Sequence, residues 1–470
     1  MTSRCMWLAS AALVLIHPAA ASAQTVQELQ RQIDELKAQL QALTQAKAAI
    51  PPLAAPATMP SAADVSTPNV PQVASLPPAT MPVASLPLNE AAWYDRLRFR
   101  GYTQMRYNAV VAGDETAPDG VSRLRSVHDA SINENGGFLL RRVRLVLQGD
   151  VTDHIQLYLQ HDFGTAVNNQ SSTERRENFG QLRDAYVDIF SPDREFRLRV
   201  GQSKVPVGWE NLQSSSDRLT LDRSDAINSA VPGEREIGIV AYYTPSQVQA
   251  IWDRLEARGQ KLFGNYGAFG VGIYNGQGIN RTEQNAGRMK VAMATWPFAL
   301  DALGLRGQVL ELGGSVLLNE VSPEVRGGGT TTDSYSDNRI GLHGILYPQP
   351  FGVQAEWTWG RGPQFDAALE AITEQRLSGG YVQVMADLGE TGGGRLVPYG
   401  RWQRYRGGWK ANVNAPQLET DELEIGFEWQ FMEALELTVA YANMHRREAD
   451  ERRMGRAEGD LVRTQLQWSY

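Results

Sequence analysis

Seven arginines fall in three short runs at alternating positions: Arg98, Arg100 and Arg106, then Arg142 and Arg144, then Arg197 and Arg199. Side chains two apart share one face of an extended chain, so each run presents a row of guanidinium groups. These stay charged at any working pH and can fork onto carboxylate or phosphate oxygens. The chemistry such rows can do is to hold and guide oxyanions. Lys204, within the stretch GQSKVPVG, adds an ammonium group beside the third run. Acids answer them: Glu422, Glu424 and Glu428 form a row on one face of a late segment, placed here as a wall opposing the basic one. Residues 206–236 mix Arg218, Arg223 and Arg235 with Asp217, Asp222, Asp225 and Glu234. A basic wall facing acids makes a transverse field, although arginines near strand ends would instead answer internal acids or lipid phosphates.

Catalysis finds no comparable support. His128, His154, His161, His343 and His445 form no HExxH or other metal-ligand spacing. His161 and Asp162 are adjacent, so an extended chain sends them to opposite faces. The glycines of 264–278 precede no helix and read as strand and turn glycines. Cys5 is the only cysteine, which excludes a disulfide framework. No enzyme, cofactor or metal is expected. With a formal net charge of -8 no nucleic-acid partner is expected either.

The elements that must carry the arginine rows are strands. In Ile155–Phe163, Ile155, Leu157, Leu159 and Phe163 alternate with Gln156, Tyr158, Gln160 and Asp162. Leu423, Ile425, Phe427, Trp429 and Phe431 oppose the acidic row, and the chain ends on the alternating Leu461–Tyr470. Sixteen such segments are expected, at 97–107, 138–150, 154–163, 182–190, 196–205, 237–243, 262–274, 286–298, 308–319, 338–346, 351–359, 377–388, 396–406, 421–431, 435–445 and 461–470. Connections after odd strands are long and those after even strands mostly short. This is the pattern of an all-β, sixteen-stranded antiparallel transmembrane β-barrel with both ends periplasmic, embedded in outer-membrane lipid and lipopolysaccharide. Charged faces belong inside, and sixteen strands leave an aqueous channel. Residues 244–261 break the rhythm, being long where a short turn is expected. The mean hydropathy of -0.36 fits, because half of every barrel strand is polar.

Four segments precede or make up this barrel. Residues 1–23 read as a signal peptide, with Arg4 before an apolar run and Ala21, Ser22 and Ala23 at the cleavage site. Residues 24–50 carry a heptad seam, Val26, Leu29, Ile33, Leu36, Leu40 and Leu43, which predicts a short coiled coil. Residues 51–90 are a Pro/Ala-rich linker with PATMP and VASLP each occurring twice. Such a linker is extended and holds the coil in the periplasm. Whether the coil clamps subunits together or touches the cell wall is left open by its residues. Residues 91–470 are the barrel.

Seven stretches give the barrel segment a resemblance: RRVRLVLQGDVTDHIQLYLQHDF at 141–163, LRDAYVDI at 182–189, LRVGQSKVPVGWE at 198–210, LTLDRSDA at 219–226, IYNGQG at 273–278, GGYVQVMADL at 379–388 and VPYGRWQRY at 397–405. In order and spacing the chain resembles the phosphate-selective porins O and P from about 93 to 470. The resemblance implies a homotrimeric outer-membrane channel for passive diffusion of small anions, phosphate or polyphosphate being the candidates. It also implies that the third long loop, here Pro206–Glu236, folds into the lumen and narrows it. The family's phosphate specificity is associated with clustered lysines at the narrowest point. From residue 91 on, this chain has only Lys204, Lys261, Lys290 and Lys410, and of these only Lys204 falls in a matching motif. A broad anion preference follows more naturally than a phosphate filter. The rival readings are a weakly selective general porin and a structural protein tethering the envelope through its coil.

Overall fold

The computed structural model of the chain describes Arg31 and residues 93–113, 124, 132, 137–164, 180–264, 266–449 and 455–470. Apart from Arg31, the segments 1–23, 24–50 and 51–90 read as signal peptide, coiled coil and linker lie outside the described residues, as does His128.

The strands are β1 (Leu97–Gly113), β2 (Phe138–Thr152), β3 (Ile155–Asp162), β4 (Gln181–Phe190), β5 (Phe196–Lys204), β6 (Arg235–Tyr243), β7 (Phe269–Tyr274), β8 (Met289–Ala299) and β9 (Val309–Leu318). A small separate hairpin follows, β10 (Glu320–Val321) with β11 (Tyr335–Ser336). Then come β12 (Asn338–Leu346), β13 (Phe351–Asp366), β14 (Ala371–Ala386), β15 (Arg395–Gly408), β16 (Gln417–Met432), β17 (Leu435–Ala449) and β18 (Ala457–Ser469). All but the hairpin form one closed antiparallel barrel in chain order, with β9 beside β12 and β1 beside β18. The sixteen strands read from alternation are therefore the sixteen barrel strands. Their ends differ most at β7, which starts at Phe269 and not 262, and at β13 and β14, which run on to a tight turn at 367–370 in place of the longer expected connection.

Alternation sorts the two faces as lipid and water require. Leu157, Leu159, Ile189, Leu198, Ile239, Val271, Leu312, Leu342, Val384 and Ile425 are exposed on the outside. Between them, Arg144, Asp188, Arg199, Gln354, Arg401, Glu424 and Arg463 are buried within. Stacked rings mark the short-turn end: Phe196 lies 4.5 Å from Tyr243, which lies 6.3 Å from Phe269, centroid to centroid. A charge in the apolar belt has no aqueous partner, so Leu342→Arg is expected to cost about 2–4 kcal/mol, and Leu342→Met almost nothing. Reversible unfolding in urea with the barrel in lipid vesicles measures both, and equal stability of the two variants would place Leu342 outside the belt.

One arc departs from the expected polar interior. Val240, Tyr242, Tyr274, Met289, Val291, Met293, Val309, Leu317 and Ile345 are buried on the inner face of β6–β9 and β12. They pack against Val248, Trp252 and Leu255 of the helix Ser246–Glu256 and against Leu262 and Phe263. Residues 244–268 are thus neither a simple turn nor, from 262, the start of the seventh strand. They form a helix and an inward-folded run before β7 begins at Phe269. Gly267 makes the exit: its φ is +84°, and a Cβ there would lie 2.9 Å from the Tyr242 Cβ. Only glycine fits both demands. Glu311, buried in this arc, accepts hydrogen bonds from Trp252 Nε1 at 3.0 Å, Thr295 Oγ1 at 2.7 Å and Tyr347 OH at 2.9 Å.

Candidate functional site in the barrel interior

The connection between β5 and β6, residues 205–234, crosses the interior and is bonded to strands all around it. Its first turns carry Glu210, whose carboxylate takes Arg401 Nη1 of β15 at 2.7 Å and the backbone N–H of Ser224 at 2.9 Å. The Glu210 N–H donates to Glu356 of β13 at 3.0 Å. Further on, Ser215 Oγ meets Tyr102 OH at 2.6 Å and accepts from Arg144 at 2.9 Å, and its carbonyl accepts from Gln104 at 2.9 Å. Gln467 of β18 donates to the Ser216 carbonyl at 3.1 Å. A short helix, Asp225–Ala230, is capped by Ser224 Oγ. It ties to Thr420 and Arg446 through Asp225, and to Arg339 through Ser229 at 2.7 Å.

Two carboxylates of this segment gather seven of the buried arginines. Asp222 is shared by Arg106 at 3.0 Å, Arg141 at 3.6 Å and Arg463. Burial alone would raise the Asp222 pKa, but Arg106, Arg463 and Arg141 outweigh it and hold the carboxyl well below the usual carboxylate range. Glu234 gathers five cations: Arg223 at 3.2 Å, Arg183 at 3.5 Å, Lys204 and Arg218 each at 3.9 Å, and Arg235. It too is held well below its ordinary value, burial being outweighed by Arg223, Lys204, Arg235 and Arg183. Arg223 shows the crowding from the other side: burial, followed by the repulsion of Arg218, pushes it down to about 10 although Glu234 pulls it up.

The residues read from sequence take these places. Arg98 and Arg100 are exposed on the interior face near the turn end, Arg100 donating to Gln148 at 3.2 Å. Arg106, Arg142 and Arg144 come together: Arg142 donates to Gln104 at 2.7 Å and Arg144 pairs with Asp162 at 2.7 Å. Arg197 and Arg199 share Asp188, Arg199 gripping both oxygens at 2.8 Å and lying 3.8 Å over the Tyr186 ring. Asp217 accepts from Ser216 Oγ at 3.0 Å. Arg235 and Glu236 belong to β6, so the crossing segment ends at Glu234 and not at Glu236.

Two placements correct the reading. The acidic row of β16 stands seven strands around the ring from Arg197 and Arg199, close to opposite, but only three from Arg106. It is also matched locally and does not form a bare wall. Glu422 lies 3.5 Å from Arg446, Glu424 3.8 Å from Arg463, and Glu428 2.6 Å from Lys261. Lys204 is buried and not bare on the path: its Nζ donates to the carbonyls of Leu212 at 3.2 Å and Gln213 at 2.7 Å. The other lysines scatter: Lys261 lies in the connection after β6, Lys290 is exposed on β8, and Lys410 pairs with Asp337.

Sequence reasoning missed Arg141, Arg183, Arg401 and Arg463. Arg141 escaped because a bulge opposite Gln104 and Met105 turns it to the same side as Arg142. Arg463 was legible, standing two positions from Gln465 on the polar face of the last strand.

A closed sixteen-stranded barrel, apolar outside and charged within, is an outer-membrane channel. Residues 120–470 match the family model of the phosphate-selective porins O and P, and the chain belongs to that family. No curated protein matches. Among solved structures, the outer-membrane channel DcaP of Acinetobacter baumannii is similar at 13% identity over 80% of this chain and 97% of that one, with a TM-score of 0.49. OmpF of Salmonella typhi, solved with daunomycin, is similar at 10% identity over 80% and 97%, TM-score 0.49. An anion-selective porin from Comamonas acidovorans is similar at 12% identity over 80% and 99%, TM-score 0.46.

Proposed function

We propose that the channel passes small anions by diffusion, with residues 205–234 as its narrowing, and that its preference is for anions broadly and not for phosphate alone. The observation that carries this is the surplus of cations beside the crossing segment, where five gather on Glu234. Three buried guanidinium groups keep donors for a passing anion. Among the described residues no carboxylate lies within hydrogen-bond distance of Arg142, while Arg197 and Arg218 have theirs at 3.8 and 3.9 Å. A row of such groups lowers the barrier to an anion without binding it too tightly to leave. The dispersed lysines argue against a dedicated phosphate filter. We further propose a homotrimer, with residues 24–50 on the periplasmic side.

The test is the reversal potential of single channels in planar bilayers under a potassium chloride gradient, repeated with phosphate added. Anion preference with weak phosphate block is the expected result. Arg142→Gln, Arg197→Gln and Arg218→Gln combined are expected to lower the chloride-to-potassium permeability ratio about tenfold. An unchanged ratio would remove these three from the ion path. A folded barrel that conducts nothing would favour the envelope tether.

A further inference from the structure

Residues 257–264 bring a second charged feature into the interior from the turn end. The run is fixed on several sides: the Gly259 carbonyl accepts from Arg395 of β15, and Gln260 Nε2 donates to the Pro348 carbonyl at 3.0 Å. The Lys261 carbonyl accepts from Gln213 of the β5–β6 segment at 3.2 Å. Lys261 Nζ then bridges two carboxylates on neighbouring strands, Glu428 Oε1 of β16 at 2.6 Å and Glu436 Oε2 of β17 at 2.7 Å. The acids are almost fully covered, but the Lys261 side chain is 24% exposed. It borders a cavity of about 50 Å³ that Gln213, Asp217, Arg218 and Arg395 also line.

Charge around this point is acidic without the lysine. Glu428, Glu436 and Asp217 face it, while Arg395 is matched by Asp387 at 2.6 Å. An anion leaving Arg218 toward the turn end meets these acids next. We propose that Lys261 determines selectivity at this second point: by offsetting one charge of the Glu428 and Glu436 pair it weakens a cation-preferring patch that would oppose the arginine-lined narrowing, so that two charge filters act in series. This extends the anion-channel reading and rests on it.

The experiment compares reversal potentials of the full-length channel, Lys261→Gln, Glu436→Gln and the triple variant Lys261→Gln/Glu428→Gln/Glu436→Gln in planar bilayers under a potassium chloride gradient. Lys261→Gln exposes two carboxylates, and its chloride-to-potassium permeability ratio is expected to fall at least about threefold. The triple variant and Glu436→Gln, each without net charge among these three positions, are both expected to exceed the parent value. A parent-like ratio in folded Lys261→Gln overturns the proposal. Should Lys261→Gln fail to give a heat-modifiable barrel on gels, Glu436→Gln decides: a raised ratio supports the proposal and an unchanged one overturns it. A parent channel without anion preference defeats the preceding reading instead, and the difference between variants still judges Lys261.

Discussion

Glu234→Gln is expected to destabilise the barrel by about 3–5 kcal/mol, because it leaves buried cations without the carboxylate they share. Among the described residues Asp184 then remains as the carboxylate partner of Arg235, at 2.9 Å. The effect carries a pH signature. Glu234 titrates well below its ordinary value in the folded chain, so its stabilisation is complete above the unfolded value of about 4.3 and is lost as pH falls through the folded one. The parent barrel should therefore lose stability in acid more steeply than Glu234→Gln. Denaturant unfolding followed by tryptophan fluorescence between neutral and acidic pH measures both. Equal stability of the two at pH 7 would mean that the five cations are satisfied from elsewhere.

Asp222→Asn is expected to strengthen anion block of the current about tenfold. The change adds one unit of net positive charge where Arg106, Arg141 and Arg463 meet. Two unit charges 4 Å apart interact by roughly 4 kcal/mol at an effective dielectric constant near 20. Water in the channel screens much of that, and the remaining 1.4 kcal/mol or so is a factor of ten. Asparagine is nearly isosteric and keeps one hydrogen-bonding oxygen, and Arg106 and Arg463 retain Gln465 and Asn108 as acceptors, so the crossing segment should hold its place at a smaller cost than at Glu234. Titrating single-channel current with phosphate gives the block constant for each form. An unaltered constant would put the Asp222 cluster off the ion path and make it an anchor only.

The strands were legible because lipid outside and water inside force strict alternation on most of them. Leu423 to Phe431 against Glu422 to Gln430 leaves no other reading. Where that contrast is absent, legibility failed at the start of β7 only: β6 and β8 on either side are legible almost to their ends although the faces of all three are largely apolar, Ile239 and Val271 toward lipid, Val240 and Met293 toward the inserted helix. The insertion itself carried a signal that went unread. Val248, Trp252 and Leu255 step by four and three, a helical stripe, while Leu262 and Phe263 mimic the start of a strand. At the candidate site the residue types were evident and their partners were not. Nothing local in the sequence says that Asp222 meets Arg106 and Arg463, or that five cations converge on Glu234. Those meetings depend on a segment crossing the lumen, and bulges such as that near Arg141 shift parity without changing composition.

The pairing of β1 with β18 also governs how the molecule must be built. Gly101 and Tyr470 exchange both backbone hydrogen bonds, and Gln104 reaches Gln467 across 363 positions of sequence. No local contact can substitute for this closure, so it comes after every other hairpin has been delivered. Contacts this distant in sequence form slowly. Until then two long strand edges stand open, each able to pair with another chain. During biogenesis an escort that capped the first and last strands and released them to each other would keep the half-made sheet from pairing elsewhere. Premature release would give aggregates and not narrower barrels.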